Sequence, residues 1–168
     1  MIRSVELTNF KSHKSTKIEF DPKVTAIIGP NGSGKTNILE SVYYSFLTKS
    51  FKTSQQGLIN RNSDFAKVIA SFKQVKDQQI EHRIKLSQGK ISRAIKLNSV
   101  NKKQSEVVGL QPVVIFIPDD SRIITDGPSL RRKLINNLIV QSSKKYLEAL
   151  NTHQKLLNQR NRLLFSIK

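Results

Sequence analysis

The chain has 168 residues and a formal net charge of +17, from 29 Lys and Arg against 12 Asp and Glu. It contains no cysteine, which excludes disulfides, thiolate metal sites and a cysteine nucleophile. Its three histidines, His13, His82 and His153, are too scattered in sequence to indicate a metal cluster. No run of eighteen apolar residues and no signal-peptide pattern occurs, so we expect a cytoplasmic protein. The excess of positive charge favours nucleic acid as a partner, with simple solubility or a basic proteome as the alternative explanation.

The chain opens with three stretches that have strand character. Val5 and Leu7, and later Ile18 and Phe20, alternate with polar residues in steps of two, which predicts two short strands joined by a polar, basic link. The apolar run 24–28 follows and predicts a third strand.

Directly after this run comes the stretch GPNGSGKT, which fits the pattern G-x-x-x-x-G-K-[ST] of a phosphate-binding loop. The pattern is informative only between a strand and a helix, and apolar residues at helical spacing follow it. A flexible Gly/Ser turn is the alternative explanation. The predicted nucleotide-binding residues are Gly29, Pro30, Asn31, Gly32, Ser33, Gly34, Lys35 and Thr36.

Each residue type in this loop has a physical task. Gly29 ends the strand in a tight turn, while Gly32 and Gly34 keep side chains away from the phosphates, so that backbone N–H groups and the helix N-terminus face the anion. Lys35 is predicted to reach the β- and γ-phosphates. Thr36 carries the hydroxyl oxygen that Mg²⁺ requires, and it is the predicted metal ligand. No catalytic residue is predicted.

The helix after the loop is followed by a polar segment without a clear period, and then by residues 67–97, which alternate in steps of two. This region predicts an antiparallel meander with turns at KDQQ and SQGK. His82 and Arg93 interrupt its apolar side. Basic residues on its other side could contact the phosphates of DNA, although exposed strands also carry lysines for solubility and edge protection. The basic residues on that side are Lys73, Arg83, Lys85, Lys90 and Lys96.

The second half of the chain begins with PVVIFIP, a continuous apolar run that predicts a buried strand. Pro128 then opens a helix, and a longer helix is predicted from Ser143 to the end of the chain. Its heptad spacing fits either a coiled coil or an amphipathic helix packed on the domain. The heptad positions are Leu150, Leu157 and Leu164, with Tyr146, His153, Arg160 and Ile167 as their partners. Because no stop signal closes this helix, we expect the front part of a longer product, either truncated or from a split gene.

Three segments together resemble the RecF family of DNA replication and repair proteins, which belongs to the SMC-like ATP-binding cassette ATPases. They are LTNFKSHKSTKIEFDPKVTAIIGPNGSGKTNILESVYY, VVIFIPDDSRIITDGPSLRRKLIN and HQKLLNQRNRLL. The likeness covers nearly the whole chain and corresponds to the N-terminal part of the family.

The resemblance implies an α/β, P-loop NTPase fold of the ABC ATPase type, with a mixed sheet, an antiparallel β subdomain and a C-terminal helical arm. It implies an ATP-binding domain at 1–142 with its β subdomain at 67–97, and an arm at 143–168 leading to a second lobe. It implies ATP and Mg²⁺ as cofactors and roles in replication, recombinational repair and the SOS response. The implied partners are single-stranded or gapped DNA, recombination mediator proteins, and a second copy in an ATP-dependent homodimer.

The resemblance also carries over to positions outside the loop. Asn9, Phe10, Lys11 and Ser12 match the segment with which such ATPases cover the nucleotide, and Lys14 follows close behind. Asp119 or Asp120 matches a segment near the γ-phosphate and metal, where the family commonly has Glu in place of Asp119.

Two motifs that ATP hydrolysis requires in this family do not occur in the sequence: a Walker B strand ending in Asp-Glu, and a signature motif at a helix start. The LSQG at Leu86–Gly89 lies between two alternating strands, and we interpret it as a turn. The chain alone is therefore predicted to hydrolyse ATP poorly.

Three alternatives stay open from the sequence. A P-loop kinase acting on a small molecule would use Arg131 and Arg132 as a lid. A DNA clamp without nucleotide chemistry would use the basic strands and helix. Another SMC-like ATPase would share the loop and the NFKSH segment.

Overall fold

The structure is a computed structural model that describes residues 1–166, without the side chain of Asp119. Two compact units are present, Met1–Val107 and a second unit that begins at Val108. The boundary predicted between residues 142 and 143 falls inside the second unit and stays a prediction.

The elements follow one another along the chain in this order. The strands are β1 (Ile2–Phe10), β2 (His13–Glu19), β3 (Phe65–Lys73), β4 (Asp77–Ser87), β5 (Lys90–Leu97) and β6 (Val100–Asn101). The helices are α1 (Lys35–Leu47), α2 (Gln104–Val107), α3 (Arg122–Thr125), α4 (Pro128–Ser142) and α5 (Lys144–Ser166). Two short 3₁₀ helices occupy Gln56–Leu58 and Pro118–Ser121.

The six strands form one sheet in the order β2-β1-β3-β4-β5-β6, and every neighbouring pair is antiparallel. The two predicted N-terminal strands and the predicted meander are therefore confirmed, and they share a single sheet. The turn predicted at KDQQ is misplaced: the chain turns at 74–76, and Asp77, Gln78 and Gln79 already belong to β4. The LSQG sequence is a turn, as predicted: Ser87 pairs with Lys90, and Gln88 and Gly89 between them have φ angles of 51° and 71°. Positive φ at both turn residues suits a tight hairpin.

One face of this sheet packs against α1 and forms the core of the first unit. Val5, Ala70 and Ile80 lie opposite one another on β1, β3 and β4, and all three are fully buried. Phe46 of α1 meets Phe72 of β3 edge to face, with ring centroids 5.1 Å apart. Burying a large apolar side chain of this kind contributes roughly 1.5–3 kcal/mol, so these contacts fix α1 on the sheet.

His82 is the polar residue that interrupts this apolar face. Its Nε2–H donates to the carbonyl oxygen of Ser45 in α1 at 2.8 Å, and its ring packs edge to face against Tyr44 at 5.1 Å. Burial lowers the pKa of His82 from 6.5 to about 4, because desolvation penalises the charged imidazolium. The neutral ring therefore joins α1 to β4.

Two strands predicted from continuous apolar runs are wrong. The segments 24–28 and 112–117 lie outside the strands that the structure describes. Val24 and Ile28 are 79% and 91% exposed, and Val114 and Phe116 are 76% and 83% exposed. An apolar run indicates a tendency to be buried, but a strand also needs a neighbour with which to exchange backbone hydrogen bonds. Within residues 1–166, the sheet is therefore antiparallel throughout, and its mixed character stays a prediction.

In the second unit, the backbone of residue 113 is bound by a side chain. Gln141 of α4 accepts from the Val113 N–H at 2.7 Å and donates to the Val113 carbonyl at 3.1 Å. Gly109 has a φ of +92°, and a Cβ there would lie 2.4 Å from the Gln141 carbonyl oxygen. Glycine is therefore required where this segment passes α4.

The two predicted helices of this unit are confirmed as α4 and α5. They contact one another, and the Tyr146 hydroxyl donates to the Asn136 side chain at 2.6 Å. On the predicted heptad, Leu157 is half-buried and Leu164 is 53% exposed, while Ile167 lies outside the described residues. The choice between a coiled coil and a packed amphipathic helix stays open.

Candidate nucleotide-binding site

The predicted phosphate-binding residues form a bare loop that leads into α1. Gly32 and Gly34 have φ angles of 84° and 93°, a left-handed region that glycine adopts without a steric penalty. Gly34 is the N-cap of α1, so the helix starts at Lys35 as the motif predicts. The loop presents its backbone without side chains at these two positions.

The start of α1 carries partial positive charge that favours an anion. No side chain caps the helix, and its first turn contains no acidic residue. Free N–H groups and the positive end of the helix dipole therefore point toward the loop. This arrangement is the usual anion site of a loop that precedes a helix.

The Lys35 side chain folds back over the loop. Its ammonium group donates to the carbonyl oxygens of Gly29 at 2.8 Å and Pro30 at 2.7 Å. Both acceptors are neutral, so the positive charge is held at the loop without being neutralised. A phosphate entering the loop would meet this charge at its edge.

The link between β1 and β2 supports the loop from one side. The His13 Nε2–H donates to the carbonyl oxygen of Gly34 at 3.2 Å, and the Thr16 hydroxyl lies 3.1 Å from His13 Nδ1. The Asn37 side-chain amide donates to the Ser12 hydroxyl at 2.9 Å. Sequence reasoning missed this role of His13, which its adjacency to the NFKS segment could have indicated.

Lys11 makes a different contact from the one expected. The family resemblance predicts Lys11 near the nucleotide, whereas its ammonium group forms an ion pair with Glu40 of α1. The Glu40 carboxylate is fully buried and also accepts from the Ser50 hydroxyl. The Lys11 N–H donates to the Leu58 carbonyl at 2.9 Å, and the Asn60 amide donates to the Lys11 carbonyl. The missed signal was Glu40, an acidic residue on the otherwise buried face of α1.

Of the remaining predicted polar residues, Thr36 belongs to the first unit, and Asp120, Arg131 and Arg132 belong to the second. Thr36 lies exposed in the first turn of α1. Asp120 accepts from the Ile117 N–H at 2.8 Å, so one of its oxygens is engaged by its own segment. The side chain of Asp119 lies outside the described residues. Arg131 donates to the Ile123 carbonyl at 3.4 Å near the start of α4, and its neighbour Arg132 is exposed.

The strand register places the predicted basic residues on the sheet face away from α1. Arg83 lies opposite Lys67, and Lys96 lies opposite Glu81. The Arg83 Nε donates to Glu81 at 2.5 Å, so one of these cations is partly neutralised. We call this side the basic outer face; its basic residues are Lys67, Lys73, Arg83, Lys85, Lys90 and Lys96.

None of the helices within residues 1–166 has both the length and the apolar character needed to cross a membrane. Among the described side chains, a set that leaves out Asp119, no group of three or more acidic, histidine or cysteine residues is arranged to hold a metal ion. The exposed Thr36 hydroxyl is an oxygen donor of the kind that Mg²⁺ takes, with water and phosphate oxygens as its usual further ligands.

A glycine-rich loop, a lysine folded over it and a helix that starts at the loop define a P-loop nucleotide-binding domain. The family model described as AAA domain matches residues 4–167, and the chain belongs to this family. The relatives found narrow the likeness to the N-terminal part of one kind of protein, the DNA replication and repair protein RecF.

RecF of Clostridium tetani is 38% identical over 167 residues, which are 97% of this chain and 44% of that protein. RecF of Azobacteroides pseudotrichonymphae is 40% identical over 167 residues, 98% of this chain and 45% of that protein. The chain thus spans less than half the length of the curated relatives that it matches.

Solved structures give the same assignment. The structure of the recombination mediator protein RecF-ATPrS in the RecFOR pathway matches 100% of this chain and 46% of its own, with 31% identity and a TM-score of 0.90. The SMC head domain from Thermotoga maritima matches 76% of this chain and 51% of its own, with 23% identity and a TM-score of 0.53, so it supports the fold alone. The predicted α/β, P-loop NTPase fold class and the predicted family resemblance are confirmed.

Proposed function

We propose that this chain is the nucleotide-binding part of a RecF-type DNA replication and recombinational repair protein. The loop 29–36 binds the triphosphate of ATP, and the Thr36 hydroxyl supplies one ligand to Mg²⁺. The observation that carries the proposal is the position of Lys35, whose ammonium group is held at the loop by two neutral carbonyls.

On ATP binding, Lys35 exchanges its contacts with the loop carbonyls for contacts with phosphate oxygens. The γ-phosphate oxygens are stronger acceptors than the carbonyls of Gly29 and Pro30, because they carry charge. Lys35 therefore moves from the loop carbonyls to the phosphates, while the loop N–H groups bind the remaining oxygens. The Thr36 hydroxyl would hold Mg²⁺ together with water and phosphate oxygens, and the ion would supply further positive charge to the triphosphate.

Hydrolysis by this chain alone is expected to be slow. Neither the Walker B carboxylates nor a signature motif occurs in the sequence, so the groups that usually orient the attacking water and stabilise the γ-phosphoryl from a partner are missing. We propose that turnover, ATP-dependent dimerisation and the role in the SOS response belong to a longer RecF-type protein and its recombination mediator partners.

ATP binding is tested by calorimetric titration and thermal unfolding with ATP and MgCl₂. A ligand at about 100 times its Kd stabilises a protein by roughly 2.7 kcal/mol, so the melting temperature should rise clearly. Lys35→Ala should remove most of this rise, whereas Lys49→Ala, an exposed lysine just beyond α1, should keep it. Thr36→Ala should weaken ATP binding with Mg²⁺ more than without it. If ATP leaves the unsubstituted protein unchanged, or if Lys35→Ala binds it equally well, the assignment of the loop fails.

We also propose that the basic outer face binds DNA through phosphate contacts. Lys85 and Lys90 are exposed, and they lie next to the tight turn between β4 and β5. Removing phosphate contacts weakens binding and flattens its salt dependence. The double variant Lys85→Ala/Lys90→Ala should therefore bind DNA less tightly than Lys23→Ala/Lys49→Ala, which removes the same charge elsewhere. Equal affinities for the two double variants would contradict the assignment of this face.

A further inference from the structure

A cavity of about 560 Å³ lies at the β5–β6 edge of the sheet, within the first unit. This volume falls in the range of small-ligand sites, roughly 300–1,000 Å³. We call it the Arg93 pocket; it is lined by Arg93, Ala94, Ile95, Asn101, Lys102 and Gln104. Its lining residues include two that carry a cationic group, two that carry a side-chain amide and two that are apolar. Such a lining suits an anionic group that is attached to a planar organic body.

Arg93 reaches this pocket from the side of the sheet that carries α1. It lies opposite the buried Ile84 in the β4–β5 register, so it shares the core-facing side of the strand. It also lies beside the Tyr44 hydroxyl, and burial raises the pKa of Tyr44 to about 12 while the Arg93 charge opposes that rise. Tyr44 is therefore neutral and leaves the Arg93 charge uncompensated. Among the described carboxylates, which do not include that of Asp119, none forms an ion pair with Arg93.

The charge continues around the edge of the sheet. Residues 88–105 contain five Lys and Arg and no Asp or Glu. Lys90 and Lys96 belong to the basic outer face, whereas Arg93 lies on the opposite face of the same strand. The Lys102 N–H donates to the Ile95 carbonyl at 2.9 Å, which places Lys102 beside the pocket, although its ammonium group also contacts Glu106 at 2.9 Å. One strand thus carries cations on both of its faces.

Forms of nucleic acid differ in how well they can reach cations on both faces of one strand. Duplex DNA is stiff, with a persistence length of about 50 nm, so it can lie along one face of a sheet edge but cannot bend around it. A single strand can follow the edge, with phosphates on Lys90 and Lys96 and the next part of the strand in the pocket. The Arg guanidinium matches phosphate geometry through paired N–H groups, and Ile95 with the neighbouring amides offers contacts to a base.

We propose that the Arg93 pocket is a subsite for one nucleotide of a single strand of DNA that passes from the basic outer face around the β5–β6 edge. The subsite deepens the proposed DNA binding and depends on it. Arg93 binds the phosphate, and Lys102 adds charge at the mouth of the pocket. Duplex DNA, in contrast, uses the basic outer face alone.

The test is fluorescence anisotropy with a labelled oligothymidine and with a duplex of equal length, using the 168-residue chain at several salt concentrations. Arg93→Gln should weaken binding of the single strand about fivefold and reduce its salt slope by about 0.7, the value for one phosphate contact on a single strand. Duplex binding should stay within about twofold, because a contact that the duplex does not make leaves its affinity unchanged. Lys76→Ala, an exposed lysine in the β3–β4 turn, measures the general effect of losing one charge.

Circular dichroism and thermal unfolding establish whether Arg93→Gln remains folded. Lys102→Ala provides a second variant that leaves the contact between Arg93 and Tyr44 intact. It should also weaken binding of the single strand more than binding of the duplex, but by a smaller factor than Arg93→Gln. The subsite is refuted if Arg93→Gln and Lys102→Ala match Lys76→Ala, or if they weaken single strand and duplex equally. If the unsubstituted chain binds neither nucleic acid, the proposed DNA binding itself fails and the subsite fails with it.

Discussion

The imidazole of His13 donates a hydrogen bond from Nε2 to the carbonyl oxygen of Gly34, 3.2 Å away. This contact joins the start of β2 to the residue that caps α1, so the last turn of the phosphate loop has a neighbour from the sheet. A Cβ at Gly34 would lie 2.5 Å from His13 Nε2 and 2.8 Å from the Ser12 hydroxyl oxygen. Glycine is therefore needed at this position for space as well as for its positive φ.

The two positive-φ glycines of the loop should respond differently to substitution. Gly32→Ala meets nothing within 4 Å, so it should lose about 1 kcal/mol of unfolding free energy from backbone strain alone. Gly34→Ala suffers the same strain and must also displace His13, so it should lose at least about 2 kcal/mol. Urea unfolding without nucleotide measures both losses. Equal losses would show that His13 does not constrain the loop.

The buried pair of Lys11 and Glu40 should matter far more than the ion pairs at the surface. The Lys11 side chain is 14% exposed and that of Glu40 is 0% exposed, so Glu40→Gln leaves a charge in a poorly solvated place. Breaking a buried pair from one side costs about 3–5 kcal/mol, and we expect a loss of that size in urea unfolding.

A surface pair and a double variant provide the controls. Glu6→Gln, which breaks the exposed contact with Lys17 at 3.5 Å, should cost less than about 1 kcal/mol. Lys11→Met combined with Glu40→Gln should recover much of the loss, because no unpaired charge then remains. Similar losses for Glu6→Gln and Glu40→Gln would contradict a strong buried pair.

His82 should make folding stability depend on acidity in a defined window. Its pKa is lowered from 6.5 to about 4 in the folded protein, so the folded state resists protonation that the unfolded chain accepts. The stability is fully present above pH 6.5 and is lost as the pH falls from 6.5 toward 4, by roughly 3 kcal/mol in total. Urea unfolding between pH 4 and pH 8 measures this slope.

His82→Gln is the matched variant for this prediction. Its amide can still donate to the Ser45 carbonyl, but it does not titrate, so the part of the pH slope between 6.5 and 4 should disappear. An unchanged slope in His82→Gln would assign the acid sensitivity to other groups.

Sequence by itself located the glycine-rich loop before α1, the meander and five of the six residues of the basic outer face, whereas Lys67 follows only from the strand register. These features depend on local order: glycines at fixed offsets before a helix, and side chains that alternate between the two faces of a strand. For the same reason, the LSQG sequence could be interpreted as a turn, because the alternating residues on both sides of it predict a hairpin.

Tertiary structure decided the features that join residues far apart in the chain. Only folding brings Glu40 to Lys11 and His13 to Gly34, and only the packing of α1 on the sheet makes His82 a buried neutral donor. Local periodicity indicates which side of a helix or strand is apolar, but it does not indicate which residue from another element packs against that side. The exposed segment 24–28 shows the same limit, because strand formation depends on a hydrogen-bonding neighbour that apolar residues alone cannot specify.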